Sequence, residues 1–284
     1  IQINPNFTEA YTNLGNLNKE LGRSKEAFDF YLKAIEINPT FYNISLSITK
    51  FLRDSDISKL NKFKLKKVLS ILLERNNISH NELFEAFNML YSDEITKGIV
   101  TLDTDPMKTE LFINDRLVIN ALKKILFKSQ QWEILLNKIR KNICFKIANK
   151  KGKITKSQFE LIIALAEQCF TNEYIYSISE EENKSLNKII NFCMKGEFNE
   201  INLSILACYL PLYKLLDKIP SIKYYKSKDN NFKALLKLQL FEPLEEIKIS
   251  KQIKKLGFIT DPISQKVRSQ YEENPYPRWK SADT

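Results

Sequence analysis

Ile35-Glu36-Ile37-Asn38-Pro39 repeats Ile1-Gln2-Ile3-Asn4-Pro5 at an interval of 34 residues. Between the two copies, Tyr11, Leu14, Gly15, Ala27, Tyr31, Ala34 and Pro39 mark out two helices, over 8–21 and 24–37, joined by Gly22-Arg23. The small residues Gly15 and Ala27 let the pair approach closely. Tyr11, Leu14, Leu17, Phe28, Tyr31 and Ile35 fall at helical spacing and supply the seam. Pro39 closes the second helix because it has no N–H to continue the ladder.

A period of 34 residues with this pattern resembles the tetratricopeptide repeat, a helix-turn-helix unit that stacks into arrays. The positions of the first helix not spent on packing are Glu9, Thr12, Asn13, Asn16 and Lys19, and these are the expected peptide-binding groove. Asn can bond a peptide backbone, and Lys can meet a carboxylate. The competing reading of these five is a solvated helix face. Residues 41–52 are helical without the Gly/Ala pattern and are expected to cap the repeat.

Beyond residue 53 the apolar spacing stays helical but loses its repeat. Leu60, Phe63, Val68, Ile71 and Leu72 share one face, and Leu83, Phe84, Phe87 and Leu90 another, behind Ser79 and Glu82 as a capping box. Asp105-Pro106 opens a helix to about Phe127, and others run over 131–148, 158–169, 179–194 and 203–216, the last interrupted by Pro211. A polar loop at 226–231 leads to 232–241, Pro243 starts a further helix, and 263–273 is the final one. No stretch alternates over strand length. The fold class expected is all-α, a tetratricopeptide helix-turn-helix repeat followed by an irregular α-helical domain. The divisions expected are 1–53, 54–262, and 263–284 as a helix and linker.

Composition agrees with that reading. The 284 residues are 43% hydrophobic, with six glycines and nine prolines, too few for an all-β chain rich in turns. The net charge is +10, but only seven of the 44 basic residues are arginine, and the lysines are spread at helix-surface spacing. Nucleic-acid readers favour the Arg fork, so nucleic acid is not the expected partner. Cys144, Cys169, Cys193 and Cys208 sit in apolar helical contexts without a CxxC pair, and His80 stands alone, so no metal site is expected. Reduced core cysteines point to the cytoplasm. No apolar run reaches membrane-spanning length. No two glycines lie close enough for a phosphate- or dinucleotide-binding loop, and no catalytic residues are assigned.

Two further segments mix aromatic and polar residues. In Ala166-Glu167-Gln168-Cys169-Phe170-Thr171-Asn172-Glu173-Tyr174-Ile175-Tyr176, the polar groups inside an apolar run signal a buried hydrogen-bond network or a contact surface. Phe241-Glu242-Pro243-Leu244-Glu245-Glu246 is a second such element. Last comes Val267-Arg268-Ser269-Gln270-Tyr271-Glu272-Glu273-Asn274-Pro275-Tyr276-Pro277-Arg278-Trp279, denser in aromatics, prolines and arginine than a cap or loop needs.

Taken with Tyr209-Leu210-Pro211-Leu212, this order of elements resembles a bacterial family of tetratricopeptide-containing, class I S-adenosylmethionine-dependent methyltransferases. The resemblance implies that the ENPYPRW motif leads into a Rossmann-like catalytic domain absent from these residues. It implies S-adenosylmethionine as the cofactor of the parent protein, with none bound by this portion. It places Arg268, Tyr271, Asn274, Tyr276, Arg278 and Trp279 at the domain junction or cofactor cleft. The chain is then expected to be an interior piece of a longer protein, with a methyltransferase domain in cis and a protein or peptide on the repeat. A tetratricopeptide scaffold without enzymatic activity is the alternative.

Overall fold

In the computed structural model, the structure describes residues 5–104, 115–253 and 260–273. Among these the regular elements are helical throughout, as the periodicity predicts. The first copy of the repeated pentapeptide, apart from Pro5, and the expected start at Asp105-Pro106 lie outside the described residues.

Helices α1 (Thr8–Glu20) and α2 (Ser24–Ile37) form an antiparallel hairpin. The turn between them is a glycine C-cap. Gly22 takes φ +69°, and Arg23 N–H returns to Asn18 O at 2.8 Å, satisfying a terminal carbonyl of α1. The hairpin closes on Gly15, which sits against the ring of Tyr31. A Cβ there would overlap Tyr31 Cδ1 and Cε1 and stand 3.0 Å from Cζ. The ring has no room to yield, since Tyr31 is fully buried and packs edge-on to Phe51 at 5.5 Å. Alanine has the better helix propensity by about 1 kcal/mol, but overpacking costs about 1–3 kcal/mol. Gly15→Ala is therefore expected to lower stability in chemical denaturation; an unchanged or higher midpoint would show that the hairpin is looser than described.

Helix α3 (Tyr42–Asp54) lies along α1 and α2, and α4 (Lys62–Glu74) follows it. Of the face that runs from Leu60 to Leu72, Leu60 lies ahead of the helix, which begins at Lys62 because Asn61 caps it, its side chain accepting from Lys64 N–H. The capping box expected at Ser79 does not form. A 3₁₀ turn, His80–Leu83, opens the segment without a side-chain cap, and Glu82 reaches instead to Arg53 Nη1 at 3.0 Å. Helix α5 (Phe84–Thr104) then runs well past Leu90.

Asp115 starts α6 (Arg116–Lys124) and accepts from Leu117 N–H at 3.0 Å, Lys66 Nζ at 2.7 Å and the Tyr91 hydroxyl at 2.7 Å. Desolvation pushes its carboxyl up, but the Lys66 and Tyr91 bonds outweigh that and hold it below the usual carboxylate range. A depressed carboxylate adds stability above its unfolded pKa and loses it as pH falls through the folded one. The stability gap between wild type and Asp115→Asn is thus expected to be present at pH 7 and to shrink below about pH 4. Urea titrations at pH 7 and pH 3 check this; a gap equal at both would assign the effect to shape rather than charge.

The middle of the fold is built from α7 (Gln130–Ala148), α8 (Lys156–Thr171), α9 (Glu180–Met194) and α10 (Glu200–Ala207). Thr155 with Gln158, and Ser179 with Glu182, form complete capping boxes. Pro211 divides the expected 203–216 helix into α10 and a 3₁₀ turn, Leu212–Leu215. One contiguous core extends from Ala27 to Leu240.

Helix α11 (Asn230–Leu236) passes through a π-turn, Lys237–Phe241, into α12 (Glu242–Ser250). Pro243 explains the wide turn. It has no N–H to give the carbonyl four residues back, and its ring would crowd that carbonyl, so the helix widens there. The buried positions Phe232, Leu235, Leu236, Gln239, Leu240 and Pro243 keep one face inward across the turn. Helix α13 (Pro262–Glu273) ends the described chain, with Ser264 N–H donating to Asp261 Oδ2 at 2.7 Å.

Candidate functional site

The face of α1 not consumed by the hairpin carries Glu9, Asn13 and Asn16 at i, i+4 and i+7, and Lys19 one turn beyond Asn16. Glu9 and Asn13 are exposed, while Asn16 and Lys19 are half-buried. The Tyr31 hydroxyl donates to Asn16 Oδ1 at 2.8 Å. That bond occupies the amide oxygen; the Nδ2 of Asn16 is a donor, the polarity needed to meet a peptide carbonyl. Burial, with Glu20 nearby, pushes the Tyr31 phenol up to about 12, so it remains a donor across the physiological range.

Lys19 Nζ stands 3.7 Å from Asp54 Oδ2 on α3, in a pair open to solvent on both sides. Such pairs contribute about 0–1 kcal/mol, so Lys19 can exchange Asp54 for an incoming carboxylate at small cost. Thr12 differs from its neighbours. It is 5% exposed, and its hydroxyl donates to Thr8 O at 2.9 Å. The structure thus brings Glu9, Asn13, Asn16 and Lys19 to one surface and turns Thr12 inward beneath it.

At the other end, α13 presents Ile263, Val267 and Tyr271 at i, i+4 and i+8, with 73%, 46% and 60% of their surfaces exposed. Arg268 lies half-buried on the same helix. Asn274, Tyr276, Arg278 and Trp279 lie outside the described residues.

The aromatic-polar segment at the end of α8 turns most of its polar groups inward and leaves Ile175 exposed. Gln168 is fully buried, Asn172 is 5% exposed and Tyr176 3%. Glu173 and Tyr174 take left-handed φ of 59° and 56°, stabilised where Tyr174 N–H reaches Cys169 O at 2.8 Å. Beside it Arg140, 1% exposed, donates from Nη2 to Ser177 O at 2.6 Å and lies 3.6 Å from Glu182 Oε1. Its Cζ sits 4.2 Å over the Tyr209 ring. Nothing local in the sequence signals this pairing, because its partners come from separate helices and a loop.

All four cysteines are buried and free. Burial pushes the Cys144 and Cys169 thiols up to about 12 and Cys193 to about 11, the reverse of a nucleophilic or metal-binding thiolate. Among the described residues no group of three or more His, Cys, Asp or Glu stands where it could hold a metal ion. No helix of the described residues is long and apolar enough to cross a membrane.

A family profile described as tetratricopeptide repeat matches residues 8–41, the span of α1, α2 and the turn after them. No curated protein and no solved structure matches the chain. The hairpin is therefore a tetratricopeptide repeat, a unit suited to binding a protein partner, within an all-α protein.

Proposed function

We propose that this chain is the non-catalytic, partner-recruiting portion of an S-adenosylmethionine-dependent methyltransferase. A peptide docks on α1 through Glu9, Asn13, Asn16 and Lys19, with Thr12 bracing the helix from inside. The observation that carries the recruiting role is the half-buried Asn16 amide, its oxygen held by Tyr31, beside the exposed Glu9 and Asn13 on α1. Support for the methyltransferase link comes from the ENPYPRW resemblance and from the exposed stripe Ile263, Val267 and Tyr271 just before that motif. In this reading the stripe and Arg268 pack on a catalytic domain in cis. Asn274, Tyr276, Arg278 and Trp279 continue the contact toward its cofactor cleft, and S-adenosylmethionine binds there and not to this portion.

The groove is tested with peptides selected from a random display library on this chain. Asn16→Ala is expected to weaken a selected peptide about two- to tenfold, the loss of one hydrogen bond. Lys67→Ala, whose ammonium pairs with Glu36 at 2.6 Å, is the control and leaves binding unchanged. Equal affinity for wild type and Asn16→Ala would remove the groove assignment. The methyltransferase link is tested separately, by calorimetry with S-adenosylmethionine on this chain and on the chain extended by about 160 residues of its natural continuation, a typical domain length. Binding by the extended protein alone supports the reading. Binding by neither sinks it and leaves the alternative, a tetratricopeptide scaffold with no enzymatic activity; the repeat match by itself supports only a protein-interaction role.

A further inference from the structure

Between the loop before α11 and the π-turn lies a cavity of about 390 Å³, lined by Tyr225, Lys226, Ser227, Lys233, Leu236 and Phe241. It is independent of the repeat and of the methyltransferase reading. Its lining holds two lysines and no carboxylate. Lys233 Nζ meets only a neutral amide, Asn230 Oδ1, at 3.3 Å. The nearest acid in sequence, Asp229, spends its carboxylate capping α11, accepting from Phe232 N–H at 2.9 Å. Lys237 on the same helix is already paired, with Glu242 at 3.6 Å, which leaves Lys226 and Lys233 as the cations of the cavity.

The rings are arranged as differently as the charges. Tyr225 is fixed edge-on to Phe198 at 5.0 Å and to Phe232 at 6.0 Å, with its hydroxyl donating to Glu200 Oε1 at 3.3 Å. Phe241, in contrast, is 43% exposed. The π-turn holds it there: Gln239 and Leu240 turn into the core while Phe241 stays on the stripe of Lys233 and Lys237. Gln239 anchors the turn by donating from Nε2 to Ala166 O at 2.9 Å and Ala207 O at 3.2 Å. Wide turns of this kind recur at functional sites, where they re-aim a side chain. A half-open aromatic beside two uncompensated ammonium groups, in a cavity of small-molecule size, is the chemistry that accepts a ring carrying negative charge.

We propose that this cavity binds a small anion borne on a planar ring. The ring lies on Phe241, and the negative group, a phosphate ester or a carboxylate, sits between Lys226 and Lys233. Calorimetry with adenosine 5′-monophosphate, 1-naphthoate, adenosine and inorganic phosphate tests this. At least one of the two anionic rings is expected to saturate, and which one does so tells phosphate ester from carboxylate; adenosine and phosphate alone bind much more weakly. Phe241→Ala is expected to weaken binding at least about fivefold, the loss of one stacking platform. Lys226→Gln, at an exposed site that does not burden the fold, is expected to weaken it about two- to fivefold and to flatten its salt dependence.

Four results would overturn the proposal, three of them with the small ligands and variants. Neither anionic ring saturates by about 10 mM; adenosine binds as well as its monophosphate; or both variants bind like wild type. An oligonucleotide binding many-fold more tightly than the mononucleotide, with a steep salt slope, would also overturn it in favour of a nucleic-acid surface.

Discussion

Arg140→Ala is expected to cost about 3–5 kcal/mol of folding stability, the range for breaking a buried ion pair from one side. The guanidinium is 1% exposed and joins α7 to the start of α9 through Ser177 O and Glu182. Removing it leaves the Glu182 carboxylate, itself 4% exposed, with neutral donors only: the Tyr209 hydroxyl at 2.9 Å and Ser179 N–H and Oγ at 2.8 and 2.9 Å. It also uncovers the Tyr209 face and deprives Ser177 O of its donor. Arg140→Lys keeps the charge but loses the planar stack, so it should fall between wild type and alanine. Pairing Arg140→Met with Glu182→Gln removes both charges and should cost less than the two single changes together. Urea unfolding of the set decides it. A loss under about 1 kcal/mol for Arg140→Ala would mean that water reaches the pair and that it is no more than a surface bridge.

Trp132→Ala is expected to lose a similar amount, about 3–5 kcal/mol, by a different cause. Trp132 is fully buried where α5, the end of α6 and α7 meet. Its ring lies 4.8 Å from Phe127, 5.4 Å from Phe87 and 6.2 Å from Tyr91. Those neighbours touch each other, Phe87 with Tyr91 at 4.8 Å and with Phe127 at 5.3 Å, so the cluster cannot collapse into the vacated space without moving a helix. Tyr91 ties the damage to α6, since its hydroxyl binds the Asp115 cap. Trp132→Phe keeps most of the ring and should recover more than half of the loss. If alanine and phenylalanine cost the same, volume is not the determinant and the cavity argument fails.

The two variants separate what could be read in the sequence from what could not. The hairpin was legible because its causes are local: a small residue at Gly15, a glycine turn at Gly22 and a proline stop at Pro39. The helices behind Thr155 and Ser179 were legible for the same reason, since each is capped within its own first turn. Ser79 carried the same local signal and failed, because a long-range partner, Arg53, takes Glu82. Glu182 sits three residues after the Ser179 cap, a local relation; that it faces Arg140 depends on how α7 and α9 pack. On α1, periodicity placed Thr12 with the groove residues, yet α3 runs alongside and Thr12 is buried. Pro243 read as a helix start, and the widened turn before it was invisible, since Lys237-Leu238-Gln239-Leu240 is good α-helical sequence.

That widened turn makes one stretch of the chain a place where residue count can change without turning the helix that follows. A π-turn holds one more residue than the α-turn it replaces, and each residue advances an α-helix by about 100°. Deleting a single residue between Lys237 and Phe241 would let the helix close to regular pitch with α12 still facing as it does, whereas a deletion within α11 that left the π-turn in place would rotate α12 by that angle. Pro243 and Leu244, which now face the core, would swing toward solvent, and Glu245 or Glu246 would swing in. A change of length is thus absorbed at these five positions and felt as a rotation of α12 when it falls within α11, while changes of letter at the buried Gln239 and Leu240 still cost stability.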